Sequence, residues 1–190
     1  MPLEIEAKMK VDDLPALLQR LSAVGATPVG QVLETNIFYD RPDLSLRKAG
    51  HGLRVRVAEE AASGRRKVTI THKGAQLPGP LKTRPETELT VFDAQAASAL
   101  LNSLGFVQVL RFQKRRRSWL LGDCRVELDE VPMLGHFVEV EGPSDDSVQR
   151  VRALLGLDAS PLIPSSYAAL LAAHLEARGE SRRDIVFEQA

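Results

Sequence analysis

A two-residue alternation of charged and aliphatic side chains, repeated along most of the chain, is the feature that most restricts how it can fold. Successive side chains on a β-strand point to opposite faces. Near the N-terminus Leu3, Ile5, Ala7 and Met9 therefore fall on one side, and Glu4, Glu6, Lys8 and Lys10 on the other. Leu53, Val55 and Val57 oppose Arg54 and Arg56; Val68 and Ile70 oppose Lys67, Thr69, Thr71 and Lys73. Arg84, Glu86 and Glu88 share a face, as do Lys114 and Arg116, and as do Arg125, Glu127 and Asp129 opposite Cys124, Val126 and Leu128. Glu139 and Glu141 are backed by Val138 and Val140.

An antiparallel sheet with one solvated face gives the same alternation. Solvated faces usually mix Thr, Ser, Gln and Lys, however, whereas several strands here present near-pure Arg, Lys and Glu. If these strands are neighbours, both signs of charge converge on one surface. A closed barrel turns that surface inward and packs the aliphatic face against helices outside.

Charges enclosed in this way are costly unless they are paired or hold a ligand of matching charge. Glutamates two residues apart lie about 7 Å from each other along a strand, at roughly 3.3 Å per residue, and repel unless a cation lies between them. Oxygen-only ligation suits a hard divalent ion such as Mg²⁺ or Mn²⁺. Arginines and lysines suit phosphate oxygens, each charge-assisted bond contributing about 1.5–3 kcal/mol. Together they point to a metal-chelated polyphosphate.

Helical periodicity marks four further segments. The first starts near Asp12 or Asp13, has Pro15 in its first turn, carries Leu14, Leu17, Leu18 and Leu21, and stops at Gly25. The second is capped by Asp93 and ends at Gly105; the third starts at Ser144 and stops near Gly156. The last spans about Ser165 to Arg178, with Tyr167, Leu170, Leu171, His174 and Leu175 in one stripe. Strands are expected near 3–11, 33–39, 52–58, 66–73, 84–91, 108–116, 117–121, 124–131 and 136–142. The loop from Gly74 to Pro80, with two Gly and two Pro, is either a lid or a plain surface hairpin.

Lys+Arg and Asp+Glu number 25 each, so no global field draws in nucleic acid or an anionic membrane. The short run Arg115-Arg116-Arg117 reads as a solvated strand edge. No run of about 18 apolar residues is present to span a bilayer. The single cysteine, Cys124, reads as inert packing, and the expected location is cytoplasmic. His51, His72, His136 and His174 stand far apart at no metal-ligand spacing.

The motifs and their order resemble the CYTH superfamily, the triphosphate tunnel metalloenzymes that include thiamine triphosphatases, inorganic tripolyphosphatases and class IV adenylyl cyclases. The resemblance rests on Glu4-Ile5-Glu6-Ala7-Lys8, Leu53-Arg54-Val55-Arg56, Thr71-His72-Lys73 and Arg84-Pro85-Glu86-Thr87-Glu88, followed by Lys114-Arg115-Arg116, Leu128-Asp129 through Phe137, and Val138-Glu139-Val140-Glu141. Ser166-Tyr167 is similar to the start of a terminal family helix. The resemblance implies an α+β fold, an eight-stranded antiparallel β-barrel with helices packed outside. It places a tunnel domain at 1–178 and leaves 179–190 as a flexible tail.

It further implies that Glu4, Glu6, Glu139 and Glu141 bind the divalent metal, Mg²⁺ or Mn²⁺. Arg54, Arg56, Lys73, Lys114 and Arg116 would grip phosphate, with Lys8 nearby. Glu86, Glu88 and Asp129 would complete the catalytic set with Lys8. Arg84 and Arg125 either serve the substrate or neutralise these acids. The implied partner is a small-molecule triphosphate, with no nucleic acid or membrane, and a homodimer is left open.

Hydrolysis of the terminal phosphoanhydride is the favoured reaction, because the charged residues serve any triphosphate and none identifies an adenine-reading group. A class IV adenylyl cyclase and a non-catalytic polyphosphate-binding module are the alternatives. Phe38, Tyr39 and Trp119 either stack on a base or pack in the core.

Overall fold

The computed structural model describes residues 3–188. The chain runs β1 (Leu3–Lys10), α1 (Leu14–Ala23), β2 (Thr27–Asp40), α2 (Ser45–Lys48), β3 (Gly52–Glu60), β4 (Arg66–Lys73), β5 (Lys82–Val91) and α3 (Ala94–Ser103). It continues with β6 (Val107–Leu121), β7 (Cys124–Val131), β8 (Gly135–Glu141), α4 (Asp145–Leu154), α5 (Tyr167–Ala177) and β9 (Asp184–Ile185). Strands pair in the order β2-β3-β4-β5-β1-β8-β7-β6, and a further β2–β6 pairing closes the ring. All eight pairings are antiparallel, so the expected eight-stranded barrel is present.

The helices begin where their caps dictate. Asp13 accepts from the backbone N of Ala16 at 2.9 Å, and Asp93 from those of Gln95 and Ala96 at 2.6 and 3.0 Å. Ser144 and Ser166 cap α4 and α5 in the same way. The first three long helices run on into Gly25, Gly105 and Gly156, each at positive φ.

Packing follows the alternation. On the outside of the barrel, α1 and α4 cover Ala7 and Met9 of β1 with Val126, Val138 and Val140 of the adjoining strands. On β3 and β4, Val55, Val57 and Val68 lie under Ala97 and Leu101 of α3. Leu171 and Leu175 of α5 pack with Leu110, Phe112 and Phe137 at one end of the barrel. Cys124 is fully buried in the first of these clusters, and burial pushes its thiol up to about 11, so it is inert.

Several elements differ from expectation. The two strands expected at 108–116 and 117–121 are one strand, β6, because nothing in Arg115-Arg116-Arg117 interrupts the alternation and both sides are paired, to β2 and β7. The arginine run is thus no strand edge: Arg116 faces inward, whereas Arg115 pairs outside with Glu130 at 3.2 Å. β2 is longer than 33–39. The single-turn α2 escapes sequence detection because it is too short for periodicity; the Asp40 carboxylate holds it by accepting from the backbone N of Leu46 and Arg47. Part of the expected tail carries structure: β9 adds in parallel to β6, with Ile185 buried. Among the described residues, no helix is long and apolar enough to cross a membrane.

Leu171→Ala removes a fully buried side chain that seats α5 on the barrel. A loss of about 2–5 kcal/mol is expected, read from the urea unfolding midpoint; an unchanged midpoint would show that α5 is not anchored there.

Candidate active site

The inward faces of the strands enclose a cavity of about 1070 Å³. Its wall includes Glu4, Glu6, Lys8, Arg54, Arg56, Lys73, Glu86, Glu88, Lys114, Arg116, Glu139 and Glu141, so the barrel gathers these sequence-selected residues in one place. Asp129, 1% exposed, stands behind them. None of residues 74–81 belongs to this wall.

Register sets the pairings. On the β5–β1–β8 side, Lys73 Nζ lies 2.5 and 2.6 Å from the two Glu4 oxygens and 2.9 Å from Glu86. Lys82, opposite Glu6, donates to its carboxylate, and burial pushes its ammonium pKa down. Lys8 Nζ lies 3.2 Å from Glu139 and donates to the Ser165 carbonyl at 3.0 Å. Glu139 also accepts from Arg116. Although burial opposes it, the Lys8 and Arg116 charges hold Glu139 well below the usual carboxylate range. Arg84 is 3.8 Å from Glu4 within the cavity, whereas Arg125 is half-exposed beside Glu127.

On the other side Arg116 grips Asp129 through two nitrogens at 2.7 and 2.6 Å, and Lys114 reaches the same carboxylate at 3.1 Å. Tyr167 Oη donates to Asp129 at 2.9 Å. Burial disfavours charge on Lys114 and lowers its pKa; it acts on Arg116 in the same sense, but Asp129 prevails and raises Arg116. Glu88 is more peripheral, exposed at the rim and 3.4 Å from Lys67.

Two groups stand out from this network. Among the described residues, Arg54 forms no ion pair; its guanidinium donates to Thr71 Oγ1 at 3.3 Å while its buried Nε has no partner. Burial and the neighbouring Arg56 push it down to about 10, so it stays charged at neutral pH. Glu141 likewise has no ion pair among the described residues. Withdrawal from water and the Glu4 and Glu6 carboxylates push it up to about 7.

Sequence reasoning left several participants out. Glu34, 3% exposed, is bound by Arg56 at 3.0 Å and Lys114 at 3.3 Å; burial opposes its ionisation, yet these cations hold it far below the usual range. Its signal was available, since Glu34, Asn36 and Phe38 alternate with Leu33, Thr35 and Ile37. Lys82 fell just before the expected start of its strand. Tyr167 belongs to a helical stripe, but its ring also lies 4.3 Å from Lys8 Nζ and 5.2 Å from Lys114 Nζ. Of the three candidate aromatics, Trp119 packs in an outer cluster, Tyr39 is buried in another but also borders the cavity, and Phe38 stacks on Phe112 at the cavity wall. His51 and His72, remote in sequence, meet with Nδ1 and Nε2 3.1 Å apart.

A family model for the CYTH domain matches residues 2–155. The chain belongs to the CYTH family. This CYTH protein is 28% identical over 180 residues to adenylate cyclase CyaB of Aeromonas hydrophila, covering 88% of this chain and 87% of that one. The PH1819 protein of Pyrococcus horikoshii superposes with a TM-score of 0.79 at 25% identity, over 90% of this chain and 99% of the other. The fold is shared too by the Hippeastrum protein HpAC1, for which a dominant triphosphatase activity is described, with a TM-score of 0.66 at 17% identity over 94% and 97% of the two chains.

CYTH tunnel enzymes are generally dependent on a divalent metal. Here the candidate ligands are the β1 and β8 carboxylates. Among the described residues no three acidic, histidine or cysteine side chains converge as a ready cage, since Glu4 and Glu6 turn to Lys73 and Lys82. The donor chemistry nevertheless fits a hard cation: burial and, after it, the Glu4 and Glu6 charges raise Glu141, and a cation among these oxygens would relieve that penalty.

That shift has a sign. An acid whose folded pKa exceeds its unfolded one binds the extra proton in the folded state, so stability falls as pH rises from about 4.5 to about 7. Glu141→Gln is expected to lose this slope, seen as the difference between wild-type and variant Tm from pH 4.5 to 8; parallel curves would contradict it.

Proposed function

We propose that this CYTH protein hydrolyses the terminal phosphoanhydride of a triphosphate-bearing substrate with the aid of Mg²⁺ or Mn²⁺. The observation that carries the reading is Arg54: a charged guanidinium in an enclosed cavity, with no carboxylate bound to it and a buried Nε lacking any acceptor. Leaving such a donor unmatched is costly, and a phosphoryl oxygen supplies the acceptor.

Arg54 and Arg56 on β3 with Lys73 on β4 bind phosphoryl oxygens from one side of the tunnel, and Lys114 and Arg116 on β6 from the other. Asp129, tied to both β6 cations and to Tyr167, fixes their position. Lys8 is aimed by the Ser165 carbonyl and the Tyr167 ring. Glu4, Glu6, Glu139 and Glu141 are the carboxylates that would hold the metal, with Glu4 and Glu6 released as Lys73 and Lys82 turn to the substrate. Glu86 keeps Lys73 in place, and Glu88 at the rim accepts from Thr71, whose hydroxyl oxygen in turn accepts from Arg54. When bound, the metal neutralises charge on the transferring phosphoryl group and lowers the pKa of a bound water. Water attacks the terminal phosphorus and the bond to the bridging oxygen breaks, with these cations stabilising the charge on both products.

A second reading, adenylyl cyclisation, is favoured by the similarity to CyaB and by a cavity at or above the usual ~300–1,000 Å³ of small-molecule sites. There the ribose 3′-hydroxyl would attack the α-phosphorus and pyrophosphate would leave. Purified protein with Mg²⁺ or Mn²⁺ and tripolyphosphate, thiamine triphosphate or ATP is expected to release phosphate. Cyclic AMP with pyrophosphate would establish the cyclase instead, and tight tripolyphosphate binding without turnover a binding module. In the active reaction Arg54→Ala is expected to lower kcat/KM about ten- to a hundred-fold, the worth of one charge-assisted bond; unchanged kinetics would remove Arg54 from the site.

A further inference from the structure

We propose that Asn36 is a substrate-contacting residue whose side-chain amide donates to a phosphoryl oxygen beside the arginine pair. The inference rests on the triphosphate reading and adds to it a neutral donor that no acid can neutralise.

Asn36 lies on β2 between Glu34 and Phe38, is 1% exposed, and belongs to the cavity wall. In register it faces Arg56 of β3 on one side and Phe112 of β6 on the other. Arg56 Nε donates to Asn36 Oδ1 at 2.9 Å. A guanidinium nitrogen cannot accept, so this bond decides which way the amide is turned. The oxygen meets Arg56, and the Nδ2 donors remain on the far side. Among the described residues Nδ2 has no hydrogen-bond partner.

Buried amide donors are normally satisfied. Here the residue that carries the free one borders a cavity. The other buried nitrogens of that wall without a hydrogen-bond partner, Arg54 Nε and Arg84 Nε, are donors too. By contrast Lys114, Arg116 and Lys8 are bound to Asp129 and Glu139. The unused donors therefore lie on β2, β3 and β5, and an anion seated against that part of the wall satisfies them without dismantling the pairs on β6, β7 and β8. Arg56 has two tasks in this arrangement: it neutralises Glu34 and turns the Asn36 amide toward the ligand.

The isosteric Asn36→Asp keeps an oxygen that accepts from Arg56 and replaces the free donor with a carboxylate oxygen, which also brings a negative charge. Asn36→Ala removes both. Binding of tripolyphosphate is measured by calorimetry in metal-free buffer, after circular dichroism shows that both variants are folded. Both variants are expected to weaken binding at least about ten-fold, the loss of one hydrogen bond to a charged acceptor. Wild-type binding by Asn36→Asp, which has lost the donor and gained a repelling charge, would show that the donor takes no part; that result overturns the inference and leaves the triphosphate reading intact. Equal binding by all three proteins overturns it as well. Failure of the wild type to bind tripolyphosphate both in this buffer and with Mg²⁺ or Mn²⁺ added defeats the underlying reading, and this inference with it.

Discussion

The structure depends on how charge can be enclosed. Moving an ion from water into a protein interior costs several kcal/mol unless a partner with good geometry replaces the lost hydration. This barrel meets the requirement by register. Glu6 lies opposite Lys82, Glu4 opposite Arg84, Lys8 opposite Glu139, Arg116 opposite Asp129 and Lys73 opposite Glu86. Strand pairing and charge pairing are thus one decision. A slip of a single residue would turn the ions outward and the valines and leucines into the cavity, so both terms favour the same alignment.

Compensation of this kind stabilises a fold but leaves nothing for a ligand. In the proposed reading, the chemistry resides where pairing is incomplete. Arg54 retains positive charge without a carboxylate, and Glu141 shares its corner with two other acids. One deficit suits an anion and the other a cation, which is the combination a metal-bound polyphosphate presents. The network also extends beyond the segment matched to the CYTH domain. Ile163 N donates to the Lys8 carbonyl, Ser165 accepts from Lys8 Nζ, and Tyr167 reaches Asp129, so the segment entering α5 holds two of the tunnel's central residues.

Much of this was legible beforehand, for identifiable reasons. Helix limits were readable because Asp13, Asp93 and Ser144 cap and Gly25, Gly105 and Gly156 stop, all through contacts within a few residues. Inward and outward faces were readable because alternation follows from strand sterics. Lys82 lies outside the expected strand because that strand was drawn two residues short, whereas Glu34 lies within its expected strand as a lone acid beside Asn36 and other uncharged neighbours, without the charged pairs that mark the other strands. Tyr167 and the His51–His72 pair could not be read in this way, since their partners are distant in the chain and no local period marks them.

Sequence alone determined which side chains share a face, where helices begin and end, and that acids and bases alternate with aliphatic residues along the same strands. These are local matters, settled by backbone geometry over a few residues. Only the tertiary structure decided that β2 closes on β6, which acid meets which base, and that Arg54, Asn36 and Glu141 are left with capacity to bind. Those outcomes depend on distances between strands far apart in the chain, and electrostatic pairing is governed by separation in space.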